Sequence, residues 1–232
     1  MIAPFPTTRR SVVLALASDD PNERARAFDT LTALYWKPLY KYARATIWRT
    51  AEDAEDAVQS FFARIMENDA LASYEPSRAS FRTFLRLLFD RQSANELKAA
   101  SRIKRGGGTT RLDFDAAEIE FQEDSRGASP EEYFQREWVR NVFAVAVTRL
   151  REACEERDRM TQFLVFEAYD IAGDVSYREL AQRFALPETT ITNHLSAMRR
   201  RFRETVLDTL REATASEQEF RAEARSLLGV EG

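Results

Sequence analysis

The apolar residues of this chain recur at the period of an α-helix, and this recurrence limits the fold more than any other feature. From Asp53 to Glu67, the residues Ala54, Val58, Phe61, Phe62 and Ile65 stand three and four positions apart. At about 100° per residue they share one side of a helix. Phe81, Phe84, Leu85 and Leu88 repeat the pattern within Phe81 to Arg105, and Trp138, Val142, Val145 or Ala146, and Arg149 or Leu150 repeat it within Glu132 to Leu150. A further helix is expected around Met160 to Tyr169, with Phe163, Leu164, Val165 and Phe166 as core candidates. Only 7 Gly and 7 Pro interrupt 232 residues, so the expected fold class is all-α.

Charge divides the chain into blocks. Lys and Arg number 34 and Asp and Glu 38, a net charge of −4 that would argue against nucleic acid if it were evenly spread. Residues 1–112 carry 18 basic and 13 acidic side chains, 113–135 carry 1 and 8, 136–212 carry 13 and 13, and 213–232 carry 2 and 4. The acidic block holds Asp113, Asp115, Glu118, Glu120, Glu123 and Asp124, followed by Gly127 and Pro130. It repels itself and offers little to bury, which predicts a flexible linker. Gly106, Gly107 and Gly108 mark its upstream edge. The expected organisation is two small helical domains, 1–112 and 136–212, joined by an acidic flexible linker over 113–135 and followed by an extension over 213–232. In the extension, Phe220, Ala224, Leu227 and Leu228 predict a short amphipathic helix after the cap candidates Thr214 and Ser216, stopped by Gly229. It is expected to dock on one of the two domains.

Several classes drop out. One cysteine, Cys154, and one histidine, His194, supply neither an internal disulfide nor a structural zinc set. No metal and no cofactor are expected. Absence of a Gly-rich phosphate loop, a GxSxG elbow or a Cys/His pair removes the common enzyme readings. No run approaches the roughly 20 apolar residues needed to cross a bilayer, so no membrane insertion and a cytoplasmic location are expected.

Three polar surfaces are candidates for binding. Opposite the apolar side of the Asp53 helix stand Glu52, Asp56, Gln59, Ser60 and Glu67, either a solvated stripe or a partner face. Beyond Leu88, Arg91, Asn95, Lys98 and Arg102 form a stripe at spacings of four, three and four. With Arg82, Arg86, Lys104 and Arg105 against only Asp90 and Glu96, this density suits phosphate neutralisation, or simply a helix end favoured by its dipole. The turn-rich stretch before it contains Tyr74, Pro76 and Ser77, where an aromatic ring either packs or stacks on an unstacked base. The sharpest local pattern runs from Ser176 to Arg203. Ser176 and Glu179 make a capping box, Ala185-Leu186-Pro187 breaks the helix, and Thr189 starts another. In this second helix Ile191, Leu195, Met198 and Phe202 face one way and Thr189, Asn193, Ser196, Arg200 and Arg203 the other, with His194 beside the apolar side. This is a helix-turn-helix pattern whose outer face suits base edges and phosphates, against an ordinary helical hairpin.

From about Tyr35 to Arg211 the chain resembles a bacterial RNA polymerase sigma factor of the extracytoplasmic-function type, which has regions 2 and 4 only. The resemblance is carried in order by Glu52-Asp53-Ala54-Glu55-Asp56-Ala57-Val58-Gln59-Ser60-Phe61-Phe62, by Ser80-Phe81-Arg82-Thr83-Phe84-Leu85, and by Tyr177-Arg-Glu-Leu-Ala with Thr189-Thr-Ile-Thr-Asn-His-Leu and Arg199-Arg-Arg. The chain has Phe84 where the family commonly has Trp, and Arg91 where it has Asn, with Asn95 one turn on. The resemblance implies that Glu52, Asp53, Glu55, Asp56 and Gln59 bind the β′ clamp helices of core polymerase. It further implies that Tyr74, Arg82, Arg91, Asn95, Lys98 and Arg102 bind the −10 DNA. Thr189, Thr190, Thr192, Asn193, Ser196, Arg199, Arg200 and Arg203 would bind the −35 DNA, on a domain that also holds the β flap. A subgroup regulated by Ser/Thr kinases is similar, which implies a kinase or an anti-sigma factor as a further partner. A phosphate at Ser60 would then add about −1.5 to −2 charge to the polymerase-facing stripe and strengthen docking. The competing expectation is a conventional dimeric helix-turn-helix transcriptional regulator with residues 1–112 as its sensor.

Overall fold

A computed structural model describes residues 12–16, 18–47, 50–67, 70–100, 114, 117, 118, 129–173 and 175–229. Among these, the regular structure is helical and contains no strand. The α-helices are α1 (Val12–Leu16), α2 (Pro21–Thr46), α3 (Ala51–Glu67), α4 (Phe81–Ala100), α5 (Pro130–Glu155), α6 (Met160–Phe166), α7 (Tyr177–Phe184), α8 (Glu188–Ala213) and α9 (Glu217–Leu228). A 3₁₀ turn covers Ala70–Ser73 and a π-helical turn Glu167–Ile171. Two compact units result, residues 1–141 with 210–232 and residues 142–209, so the division falls within α5 and α8.

In the first unit, α2 begins at Asp20, whose carboxylate accepts from the Asn22 N–H at 2.9 Å, with Pro21 in the first turn where no N–H is needed. Its Ala27, Leu31, Leu34, Leu39 and Ala43 are buried at helical spacing. Ala54, Val58, Phe61, Phe62 and Ile65 of α3 are buried as their periodicity predicts, and α4 contributes Phe81, Leu85 and Phe89. Edge-on aromatic pairs join these helices, Tyr35 with Phe81 at 5.8 Å and Phe61 with Phe89 at 5.3 Å. Each such pair adds about 0.5–1.5 kcal/mol beyond burial.

The first turns of α5 belong to this unit, not to the second domain where the sequence places residues from 136 onward. Trp138 is buried beside Tyr35 at 6.4 Å, and Asn141 Nδ2 donates to the carbonyls of Ala33 and Leu34, each at 2.9 Å. Glu137 meets Lys41 of α2 at 2.7 Å, with 3% of the lysine and 2% of the glutamate side chain exposed.

The expected linker is also partly folded in. Phe114 is buried against Trp36 and Tyr40 at 5.3 and 5.2 Å, and Ala117 is buried. The Glu118 carboxylate accepts from Tyr40 at 2.6 Å and from Arg44 at 2.7 Å. Residues 130–135 are helical. Net charge does not register these apolar residues among the acids; residues 113, 115, 116 and 119–128 lie outside the described residues.

The extension forms α9 as its pattern predicts. Ser216 Oγ accepts from the Glu219 N–H at 3.2 Å, and Gly229 ends the helix at φ 63°, a conformation that favours glycine. It packs within the first unit. Phe220 and Ala224 are buried, and the Tyr35 hydroxyl donates to the Ala213 carbonyl at 2.8 Å.

The second unit closes around Leu150, Cys154, Phe163, Val165, Phe166, Leu180, Ile191, Leu195 and Met198. The open choices in α5 resolve to Ala146 and Leu150, both buried. Leu164 turns outward at 38% exposure. Burial pushes the Cys154 thiol up, as suits a packing cysteine. Between α7 and α8, Ala185 is left-handed at φ 53°, while Leu186 N–H returns to Ala181 O at 3.0 Å and Ala185 N–H to Gln182 O at 3.3 Å. This double closure satisfies the last carbonyls of α7, at a conformational cost of about 1–2 kcal/mol for a residue with a Cβ. Glycine removes that cost but adds backbone entropy, so Ala185→Gly is expected to raise unfolding stability by up to about 1 kcal/mol, read by chemical denaturation.

Candidate nucleic-acid and partner-binding surfaces

In the second unit, the capping box sets the start of α7. Ser176 N–H donates to Glu179 Oε2 at 2.7 Å, and Ser176 Oγ accepts from the Glu179 N–H at 3.3 Å. The Ser176 N–H and the Ser176 hydroxyl, which donates to Oε2 at 2.8 Å, hold the Glu179 carboxyl below the usual range. Pro187 O accepts from the N–H groups of Thr190 and Ile191 at 2.9 and 3.1 Å, which starts α8. Because Ile191, Leu195 and Met198 are buried, the opposite face is delivered to solvent. Thr189, Thr192, Asn193, Ser196, Arg199, Arg200 and Arg203 are exposed, and Thr190 is half-buried. Thr192 Oγ1 donates back to Glu188 O at 3.0 Å, which spends its proton on the helix.

Arg199 is not one of three equivalent arginines. Its Nε lies 3.1 and 3.0 Å from the two oxygens of Asp170, and Nη2 lies 2.8 Å from Oδ1. Its guanidinium lies 5.6 Å from the Tyr169 ring centre, and that ring stacks on Tyr177 at 5.0 Å and 4°. The Asp170 bonds raise its pKa further. Arg199 therefore fastens α8 to the π-helical turn, leaving Arg200 and Arg203 as the arginines directed outward. Nothing in the local sequence of α8 signals this; the partner comes from a turn 29 residues away.

The acidic face of α3 has the expected make-up at its start. Glu52, Asp53 and Asp56 are exposed, and Glu55 and Gln59 are half-buried. Thr50 caps the helix, its Oγ1 accepting from the Asp53 N–H at 3.1 Å while its hydroxyl donates to the Asp53 carboxylate at 2.7 Å. Glu52 and Asp53 sit in the first turn, where the helix dipole favours acids.

Ser60 does not belong to that face. Its hydroxyl donates to Glu96 of α4 at 2.7 Å and accepts from Gln92 at 3.4 Å, and Glu96 also meets Arg64 at 3.4 Å. Ser60 stands on the α4 side of α3, between the apolar stripe and the acids, so a phosphate there would meet Glu96.

The residues assigned to −10 DNA separate into two groups. Arg91 and Asn95 are exposed and line a cavity of about 180 Å³ with Phe61, Arg64, Leu88 and Gln92. Tyr74 and Arg82 are engaged within the protein. The Tyr74 ring packs on Phe81 and Phe84 at 5.3 and 5.1 Å, and burial with Glu219 beside it pushes the phenol up. Arg82 pairs with Glu223 and lies 4.9 Å over Trp138. Arg86 is also paired, with Asp90 at 3.0 Å. The Lys98 side chain and Arg102 lie outside the described residues.

Among the described residues no cluster of three His, Cys, Asp or Glu could hold a metal, and no helix is long and apolar enough to cross a membrane. No protein-family model matches the chain, and no curated protein or solved structure matches it.

Ser60→Glu places a carboxylate against Glu96 in a half-buried site and is expected to destabilise the first unit by about 1–3 kcal/mol. Ser60→Ala, which removes a donor but adds no charge, is expected to cost less, both read from denaturation midpoints.

Proposed function

We propose that the chain is a sigma factor, a protein without bond chemistry of its own that docks on core RNA polymerase and directs it to promoters. The observation that carries this reading is the exposed face of α8, where Thr189, Asn193 and Ser196 give way to Arg200 and Arg203 directly behind a capped helix and a tight turn. Small polar groups near the helix start suit base edges in a major groove, and arginines further along suit phosphates or guanine. In this reading α7 and α8 act as a helix-turn-helix on the −35 element, within a second helical domain that also meets the β flap.

The first unit supports a second grip. Glu52, Asp53 and Asp56 form an acidic patch suited to a basic partner, here the β′ clamp helices. Arg91 and Asn95 stand at the rim of a cavity with Phe61 and Leu88 in its wall, a combination that suits a base flipped out of the stack. The acids Glu120, Glu123 and Asp124 carry phosphate-like charge suited to a basic RNA channel. A kinase or an anti-sigma factor regulates the protein in this reading, which is a cytoplasmic one.

Run-off transcription on a random promoter pool, with core polymerase and the purified chain, tests the proposal. It predicts enriched promoters with two spaced elements, and Arg200→Ala is expected to lower initiation at them about tenfold, within the 1–3 kcal/mol of a good contact. Tight binding of a dimer to palindromic duplex without polymerase would instead identify a conventional regulator.

A further inference from the structure

Two carboxylates of α9 engage donor groups at the start of α4. Glu219 accepts from the Phe81 N–H at 2.7 Å, from the Ala215 N–H at 2.9 Å, and from the Tyr74 hydroxyl at 3.5 Å. Phe81 is the first residue of α4, where backbone N–H groups lack partners within the helix. One turn along α9, Glu223 pairs with Arg82 while itself only 6% exposed. An N–H at a helix head, a phenol and an arginine are the usual donors to a phosphate group. Here the N–H and the arginine are taken by acids four residues apart, and the phenol lies between the Ala79 carbonyl at 3.2 Å and Glu219 at 3.5 Å.

The seating of α9 has an apolar part as well. Phe220 and Ala224 are buried on the same side, and the Arg211 guanidinium lies 4.1 Å over the Phe220 ring. The remaining acid of the first turn, Glu217, is different. It pairs with Arg221 at the surface at 3.2 Å, with 54% of its side chain exposed. The helix thus carries one acid turned outward and two turned onto Tyr74, Phe81 and Arg82. Burial pushes the Glu219 carboxyl up, so its charge at that position depends on the donors it meets.

We propose that α9 is an internal competitor for nucleic acid on the first unit: with Glu219 and Glu223 seated, Tyr74, Arg82 and the head of α4 are closed to a phosphate backbone, and single-stranded DNA and α9 exclude one another. This rests on the reading of Tyr74 and Arg82 as nucleic-acid contacts. A strand that binds only the open form has its affinity reduced by the fraction of molecules that are open, about tenfold for an α9 seated nine-tenths of the time.

Fluorescence anisotropy of a labelled single-stranded oligonucleotide with the full-length chain tests the proposal, comparing the wild type, Glu219→Gln/Glu223→Gln, and Glu217→Gln. Glutamine keeps a carbonyl acceptor for the Phe81 N–H, and a thermal melt checks that each variant is folded. The double variant is expected to bind about tenfold more tightly, Glu217→Gln to stay within twofold of wild type, and added Arg82→Ala to cancel the gain. An unchanged or weakened double variant overturns the proposal, and so does an equal gain from Glu217→Gln, which would reflect net charge alone. Hydrogen exchange on the wild type provides a second readout, in which saturating oligonucleotide is expected to speed exchange across 217–228; unchanged protection there overturns the exclusion. Neither readout needs polymerase. A chain that supports no run-off transcription but shows these effects contradicts the sigma reading and leaves the competition intact, whereas normal transcription with no effect of the double variant does the reverse.

Discussion

A lysine and a glutamate with almost no exposed surface fix the centre of the first unit. Lys41 and Glu137 meet at 2.7 Å between α2 and α5. Glu137 also meets Arg140 at 2.9 Å, and burying either charge away from its partners is costly, about 3–5 kcal/mol where a buried pair is broken. The pair therefore accepts one pairing of these helices and penalises others. Trp138 and Asn141, placed one and four residues along, then reach Tyr35 and the α2 backbone. The residues of α5 up to 141 fall in this unit.

Once the apolar stripes are committed to the interior, the surfaces left over have separate characters. The start of α3 is acidic, the outer face of α8 is polar and then basic, and the middle of α4 offers Arg91 and Asn95 beside an apolar-walled cavity. Residues between these faces and the core are used to pin elements together. Ser60 ties α3 to α4 through Glu96, and Arg199 ties α8 to the turn at Asp170. A residue of a binding type is not thereby a binding residue; its place around the helix decides.

Periodicity made the helices legible. Ala54, Val58, Phe61, Phe62 and Ile65 are buried together, the Ser176 cap and the Ala185 turn stand where local chemistry places them, and α9 runs between Ser216 and Gly229. Long-range pairing was not legible. That Arg82 meets Glu223, Lys41 meets Glu137, and Arg44 meets Glu118 follows from tertiary packing, which spacing along one helix does not encode. A signal was present in α9, where Glu219 and Glu223 flank the buried Phe220 and Ala224; acids next to an apolar stripe ask for donors on the opposing surface. The same holds for Phe114 and Ala117, apolar residues in an acidic block that net charge alone discounted.

In the proposal the acid patch at the start of α3 is the grip on polymerase, which a sigma factor needs and a conventional regulator does not. Glu52 and Asp56 are the residues to reverse, because Asp53 also accepts from Thr50, which caps the helix. The direct measurement is co-purification with core RNA polymerase of the wild-type chain and of Glu52→Lys/Asp56→Lys, with helical content checked by circular dichroism. The account predicts a stable complex with the wild type and its loss with the folded variant. Undiminished assembly by the variant, or none by the wild type, contradicts it.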